Sequence, residues 1–185
     1  MSVSRRQSVA TALAALLVIT GAFALARQAG ASGQELGAIK LEGAWIARVA
    51  TPAFPVTPQW TYVLVPDGSG KHATIYGSVD VGFGTPGVDH DSPLVGEMVR
   101  TGFDTAAFKV VWHRIDSAGH ILAIGTVSGT ATFTAPGKAG AIHHFAIYAA
   151  AADADGDGLP DPETTVVPTT FTLMTMDTRV PSAVQ

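Results

Sequence analysis

The chain has 185 residues, 47% hydrophobic and 14% charged, with 20 Gly, 11 Pro and no Cys, a composition that places it with globular proteins and excludes collagen-like and disordered classes. Eleven Lys and Arg against fifteen Asp and Glu give a net charge of −4, which leaves no basic surface for nucleic-acid phosphates. Without cysteine there is no disulfide, thiolate zinc site, cysteine nucleophile or lipid-anchoring thiol.

Arg5 and Arg6 precede an apolar stretch from Val9 to Ala26, and the small residues Ala29-Gly30-Ala31 follow. Basic, apolar and cleavage regions in that order are those of a secretory signal peptide. The expectation is a cleaved segment 1–31, with Ala24-Leu25-Ala26 as a second small-residue site. Thr11, Thr20 and Gly21 interrupt the apolar run and favour a signal over a stable membrane anchor. Ser4-Arg5-Arg6 also resembles the start of a twin-arginine export signal, with Ser8 where an aromatic or aliphatic residue is usual. Cleavage removes three of the eleven basic residues and no acidic one, leaving eight against fifteen, a net −7 over residues 32–185. The mature protein is expected to be secreted or periplasmic, a single domain without a further membrane-spanning segment.

Beyond the signal, the periodicity is two rather than 3.6, the mark of antiparallel strands with one buried face. Turn residues between the alternating runs predict eight strands, at 40–50, 60–66, 71–83, 96–103, 106–116, 120–134, 140–150 and 170–179. In the third, Ala73, Ile75, Gly77 and Val79 alternate with His72, Thr74, Tyr76, Ser78 and Asp80; in the sixth, Val127, Ala131 and Phe133 alternate with Thr126, Ser128, Thr130 and Thr132. Pro66-Asp67-Gly68-Ser69-Gly70, Asp116-Ser117-Ala118-Gly119 and Ala135-Pro136-Gly137-Lys138 supply tight-turn chemistry, so sequential strands should pair as hairpins. Long strands in such a meander resolve their edges by closing, so the predicted fold is all-β, an up-and-down barrel. Longer connections at 51–58, 84–95 and 153–169 are candidate functional loops.

The most specific motif is Asp153-Ala154-Asp155-Gly156-Asp157-Gly158-Leu159-Pro160-Asp161. Carboxylates at positions 1, 3, 5 and 9 with glycine at 6 allow a loop to wrap a hard cation and turn sharply at the glycine. Five of the fifteen acids fall between Asp153 and Glu163, a density that costs free energy unless a cation or solvent offsets it. Over these nine residues the loop resembles those of EF-hands, dockerins and thrombospondin type 3 repeats. That resemblance implies calcium held by Asp153, Asp155, Asp157 and Asp161, the Leu159 carbonyl and Glu163, in a structural role. It departs from the EF-hand at position 12, which is Thr164, and Pro160, Pro162 and Pro168 exclude a following helix.

Six histidines occur, at 72, 90, 113, 120, 143 and 144. A closed barrel would let His113 and one of His143 or His144 project inward with Tyr76, Glu97 or Arg100, a cluster capable of proton transfer. Asp89-His90-Asp91 reads as a polar turn or a second metal site. No Gly-x-Ser-x-Gly, His-Glu-x-x-His or phosphate-cradling loop is present, so the common hydrolase and nucleotide-binding signatures are missing.

Gly43-Ala44-Trp45 opens the first barrel strand and Arg179 closes the last. This resembles the lipocalin or calycin arrangement, in which a Gly-x-Trp begins strand one and an Arg from the final strand packs over the Trp. The middle Thr-Asp-Tyr motif of that family is replaced here by Thr134-Ala135-Pro136. The resemblance implies a barrel that binds a small apolar molecule, for which Tyr62, Ile75, Phe103, Phe108, Trp112 and Phe145 are the candidate lining. Two other readings stand beside it: a calcium-stabilised extracellular structural or interaction module, and a barrel cyclase or isomerase resembling allene oxide cyclases.

Overall fold

A computed structural model of the protein describes residues 39–50, 59–78 and 90–181. The predicted signal segment 1–31, the loop at 51–58, the predicted strand residues 79–83 and Asp89 lie outside the described residues. Each of the eight alternating runs becomes a strand and a ninth, β4, is added: β1 (Gly43–Val49), β2 (Gln59–Pro66), β3 (His72–Ser78), β4 (His90–Asp91), β5 (Leu94–Arg100), β6 (Thr105–Ile115), β7 (Ile121–Ala135), β8 (Lys138–Ala149) and β9 (Thr169–Arg179). Among the described residues there is no α-helix, only a single 3-10 turn at Ala150–Ala152.

Every pairing is antiparallel, and β9 pairs with both β8 and β1, which closes the sheet. Eight strands form the barrel in chain order. The ninth, β4, pairs with β6 just beyond β5, so the two act as one interrupted strand. Pro93 is at the break because it has no N–H for the ladder. Ser92 bridges the gap: its N–H donates to the His113 carbonyl at 2.8 Å, and its Oγ accepts from the His113 N–H at 2.9 Å.

The hairpins form as their turn residues dictate. Asp67 Oδ1 accepts from the Ser69 N–H at 2.8 Å, and Asp116 Oδ1 accepts from the N–H groups of Ala118 and His120 at 2.9 and 2.8 Å. Such side-chain acceptors stand in for backbone partners in tight turns. The fourth predicted strand ends early. Thr101 and Gly102 donate to the Thr105 carbonyl, closing a turn after Arg100 that leaves Phe103 at its tip.

Alternation puts one face of every strand inside. Trp45, Trp60, Trp112, Tyr62, Phe108, Phe133 and Phe145 are buried there, interleaved with Ala47, Ala73, Ala106, Ala131, Ala139 and Ala141. Large and small side chains alternate because eight strands leave an interior only about two side chains wide. Burial of each large apolar side chain contributes about 1.5–3 kcal/mol. Two glycines permit the tight coiling of the wall: a Cβ on Gly96 would collide with the Lys109 carbonyl, and one on Gly129 with that of Ile142.

Arg179 and Glu42 secure one end of the barrel. The guanidinium pairs with Glu42 at 3.2 Å, and the Trp45 indole N–H donates to the Glu42 carbonyl at 3.1 Å. Gly43 has φ +88°, and a Cβ there would come within 2.7 Å of Arg179 Nε. The Gly-x-Trp and the final-strand Arg do therefore meet, as Cα partners Trp45 and Arg179 on β1 and β9.

Candidate functional site

The interior is not completely filled. Ala131 on β7 faces both Ala106 on β6 and Ala141 on β8. This row of methyl groups leaves space that larger side chains would take. The cavity has a volume of about 40 Å³, more than the roughly 10–15 Å³ that a single water needs, so the space takes a few waters or a small molecule in their place. Trp60, Tyr62, Phe108 and Phe145 give it aromatic walls, Ile75, Leu94, Met98, Val110 and Val127 aliphatic ones, and Ala131 and Ala141 complete the apolar lining. Its polar groups are His143, Asp177 and the Tyr62 hydroxyl, all on the wall formed by β8, β9, β1 and β2.

Those groups are tied together. The Tyr62 hydroxyl donates to Asp177 Oδ2 at 2.7 Å, and His143 Nε2 shares a hydrogen bond with Thr175 Oγ at 2.9 Å. Thr175 and Asp177 are two residues apart on β9, so both point inward. Burial pushes the Asp177 carboxyl above its ordinary value, against the opposing pull of the Thr175 and Tyr62 hydroxyls. Burial, then the Asp177 charge and the shared hydrogen bond, push the Tyr62 hydroxyl well up. Burial, with a smaller repulsion from His144, lowers His143 from 6.5 to about 4. At neutral pH the imidazole is uncharged. Its ring sits edge-on to Trp60 at 5.0 Å and tilted to Phe108 at 4.9 Å between centroids.

Of the six lining residues expected from sequence, Tyr62, Ile75, Phe108 and Phe145 border the cavity. Trp112 is buried but packs elsewhere in the core, over Gly125 and edge-on to Phe145 at 6.0 Å. Phe103 requires correction: it is 65% exposed on the β5–β6 turn, because the strand ends before it. The expected proton-transfer cluster also changes. Trp112 takes the inner face of β6, so its neighbour His113 must point outward. His143 faces inward and His144 outward, where it meets Thr172 Oγ at 3.1 Å. Tyr76 and Glu97 lie on the outer face, and Arg100 donates to the Ile39 carbonyl. Asp91 pairs with Arg114 at 3.5 Å, which makes it part of a strand-end ion pair. Asp177, Thr175 and Trp60 were not singled out from sequence. Their parity with Leu173 and Tyr62 was the available signal.

The acidic loop is a second centre. Carboxylate oxygens of Asp153, Asp155 and Asp157 all lie within 4.8 Å of one another. Asp153 organises the turn: Oδ1 accepts from the N–H groups of Gly156 and Asp157 at 2.8 and 3.0 Å, and Oδ2 from Gly158 at 2.9 Å. Asp157 Oδ1 accepts from Leu159 at 2.7 Å. Gly158, at the position where the motif needs a sharp turn, has φ +85°. Asp161 stands apart from the triplet and accepts from the Ala154 N–H at 2.8 Å, and the exposed Glu163 is also outside it. His113 anchors the loop to the barrel, its Nε2 lying 2.7 Å from the Gly158 carbonyl oxygen.

The described residues thus form an eight-stranded up-and-down antiparallel barrel with a small interior cavity and an acidic loop outside. Comparison of the chain with protein families, curated proteins and solved structures finds no match.

Proposed function

We propose that this is an exported binding protein, a barrel of lipocalin-like architecture that holds one small, largely apolar ligand inside and one structural calcium on its acidic loop. The observation that carries the ligand reading is the interior cavity, with aromatic and aliphatic walls and three polar side chains at its border, the usual anatomy of a small-molecule site. The meeting of Gly43, Trp45 and Arg179 supports the architecture, and the sequence of residues 1–31 supports export.

Toluene, a small ring without polar groups, is a suitable first probe. It is expected to produce a saturable change in Trp fluorescence, because Trp60 borders the cavity. Ala141→Leu, which extends a lining side chain into the cavity, is expected to weaken binding about tenfold or more while the barrel still folds. No saturable response in the wild-type protein to toluene or to its alcohol, amine and carboxylate analogues would overturn the ligand reading.

Calcium at the loop is supported by three carboxylates held close together, whose mutual repulsion a cation would relieve. Without a bidentate Glu at position 12 the affinity belongs in the weak extracellular range, roughly 0.1–1 mM. At about 10 mM calcium, binding at the weak end of that range raises unfolding free energy by about 1.4 kcal/mol. Chemical denaturation in calcium, and in magnesium at equal ionic strength, tests this. Equal effects of the two ions, or a calcium effect that survives Asp155→Asn with Asp157→Asn, would remove the site.

One observation favours the barrel-enzyme reading: His143, Asp177 and Tyr62 border a single cavity, each with its proton affinity shifted. Against it, an imidazole lowered to about 4 is a poor base at neutral pH. The Nε2 of His143 is also engaged by Thr175. Binding is therefore the better-supported activity.

A further inference from the structure

We propose that the cavity is built for a small protonated amine with an apolar body, its N–H directed at Oδ1 of Asp177. This rests on the reading of the cavity as a ligand site and names the class of ligand it takes.

Asp177 projects inward from β9 and is only 3% exposed. Its two oxygens differ. Oδ2 accepts from the Tyr62 hydroxyl at 2.7 Å, whereas Oδ1 is fully buried and lacks a hydrogen bond of ordinary geometry, the nearby Thr175 hydroxyl being 2.9 Å from His143 Nε2. No ion pair among the described residues includes Asp177. A buried carboxylate with an unsatisfied oxygen and no cation is costly, and proteins rarely keep one without a use. Here the carboxylate borders a cavity with room for the missing partner.

The rest of the wall selects the partner's charge. Trp60, Tyr62, Phe108 and Phe145 present aromatic rings to the cavity, and a cation near such rings is attracted to their faces. An anion would meet both Asp177 and the negative ring faces, with no cation to receive it. His143 does not compete for the role, because burial keeps its imidazole neutral at ordinary pH. The same burial raises Asp177 in the free protein, and a cation brought beside it would restore the carboxylate by direct attraction. A neutral hydrocarbon fills the space but leaves Oδ1 without a donor.

Four rings of similar size separate the possibilities: benzylamine, benzyl alcohol, toluene and benzoate, titrated at about pH 8, where free benzoate is ionised and free benzylamine is protonated. Binding is read by Trp fluorescence and by calorimetry. Benzylamine is expected to bind about tenfold or more tighter than toluene, as a charge-assisted hydrogen bond requires, with benzoate not bound. Asp177→Asn is expected to fold, since its side-chain oxygen still accepts from Tyr62, to keep toluene, and to lose the preference for the amine. Toluene binding as tightly as benzylamine, or a preference unchanged in Asp177→Asn, overturns the amine proposal and leaves the ligand site standing. Failure of all four probes overturns both. If Asp177→Asn does not fold, the order of affinities in the wild-type protein decides alone.

Discussion

Replacing Trp45 with alanine is expected to cost about 4 kcal/mol of unfolding free energy, within the range for truncating a buried aromatic. Trp45 is almost fully buried, stacks on Tyr62 with centroids 6.3 Å apart and planes 6° apart, and meets Phe133 edge-on at 5.8 Å. Its indole N–H also holds the Glu42 carbonyl beside the Arg179 ion pair, so the truncation loosens the place where first and last strands meet. A small domain has roughly 5–15 kcal/mol in total, so this one change removes a large part of it. Chemical denaturation should show a lower midpoint with an unchanged slope. Trp45→Phe keeps most of the apolar area and should recover over half of the loss. A cost below about 1 kcal/mol for the alanine variant would mean that the ring is not the core element described here. Because Trp45 supports the Tyr62 ring, and Tyr62 bonds Asp177, the variant should also weaken amine binding.

The second large effect is on pH. His143 falls from 6.5 to about 4 on folding. Between those values the unfolded chain binds a proton that the folded chain refuses, so stability rises with pH across the window and falls on acidification. Going from pH 7 to about pH 4 removes about 3 kcal/mol through this group. Asp177 acts in the opposite sense. Its folded value is raised, so its contribution is present at low pH and is lost as pH rises through the raised value. His143→Gln separates the two, since glutamine can still hydrogen-bond Thr175 but does not titrate. Its stability should change by about 3 kcal/mol less than that of the wild type over the same interval. Parallel pH profiles for the two proteins would show that the imidazole is not buried neutral.

Much of the barrel was legible along the chain because its causes are local. Hairpin turns are made by Asp67, Asp116 and their glycines within a few residues, and strand alternation repeats every second position. All eight predicted barrel strands correspond to observed ones, with ends that differ by a few residues where they are described. The short β4 was missed, since two residues just ahead of a proline carry no periodic signal.

Parity was less secure. The sequence reading placed Trp112 on the ligand and His113 in the interior, although neighbours on one strand face opposite ways. Packing resolves it: the indole fills space over Gly125, and His113 turns out to meet the acidic loop. Phe103 was lost to one turn. Asp177 passed unnoticed because an aspartate in an alternating strand ordinarily marks the wet face. Only Leu173 and Thr175, two and one inward steps before it, indicate otherwise.

The sequence by itself determined the strand succession, the hairpin order, the sharp turn at Gly158 and the density of carboxylates around it, since each depends on residues close together in the chain. Tertiary structure alone decided that β9 closes on β1, that three alanines face one another across β6, β7 and β8, and that Tyr62 reaches Asp177 across 115 positions. A cavity is the difference between what the strands enclose and what their side chains fill, and no stretch of sequence contains both terms.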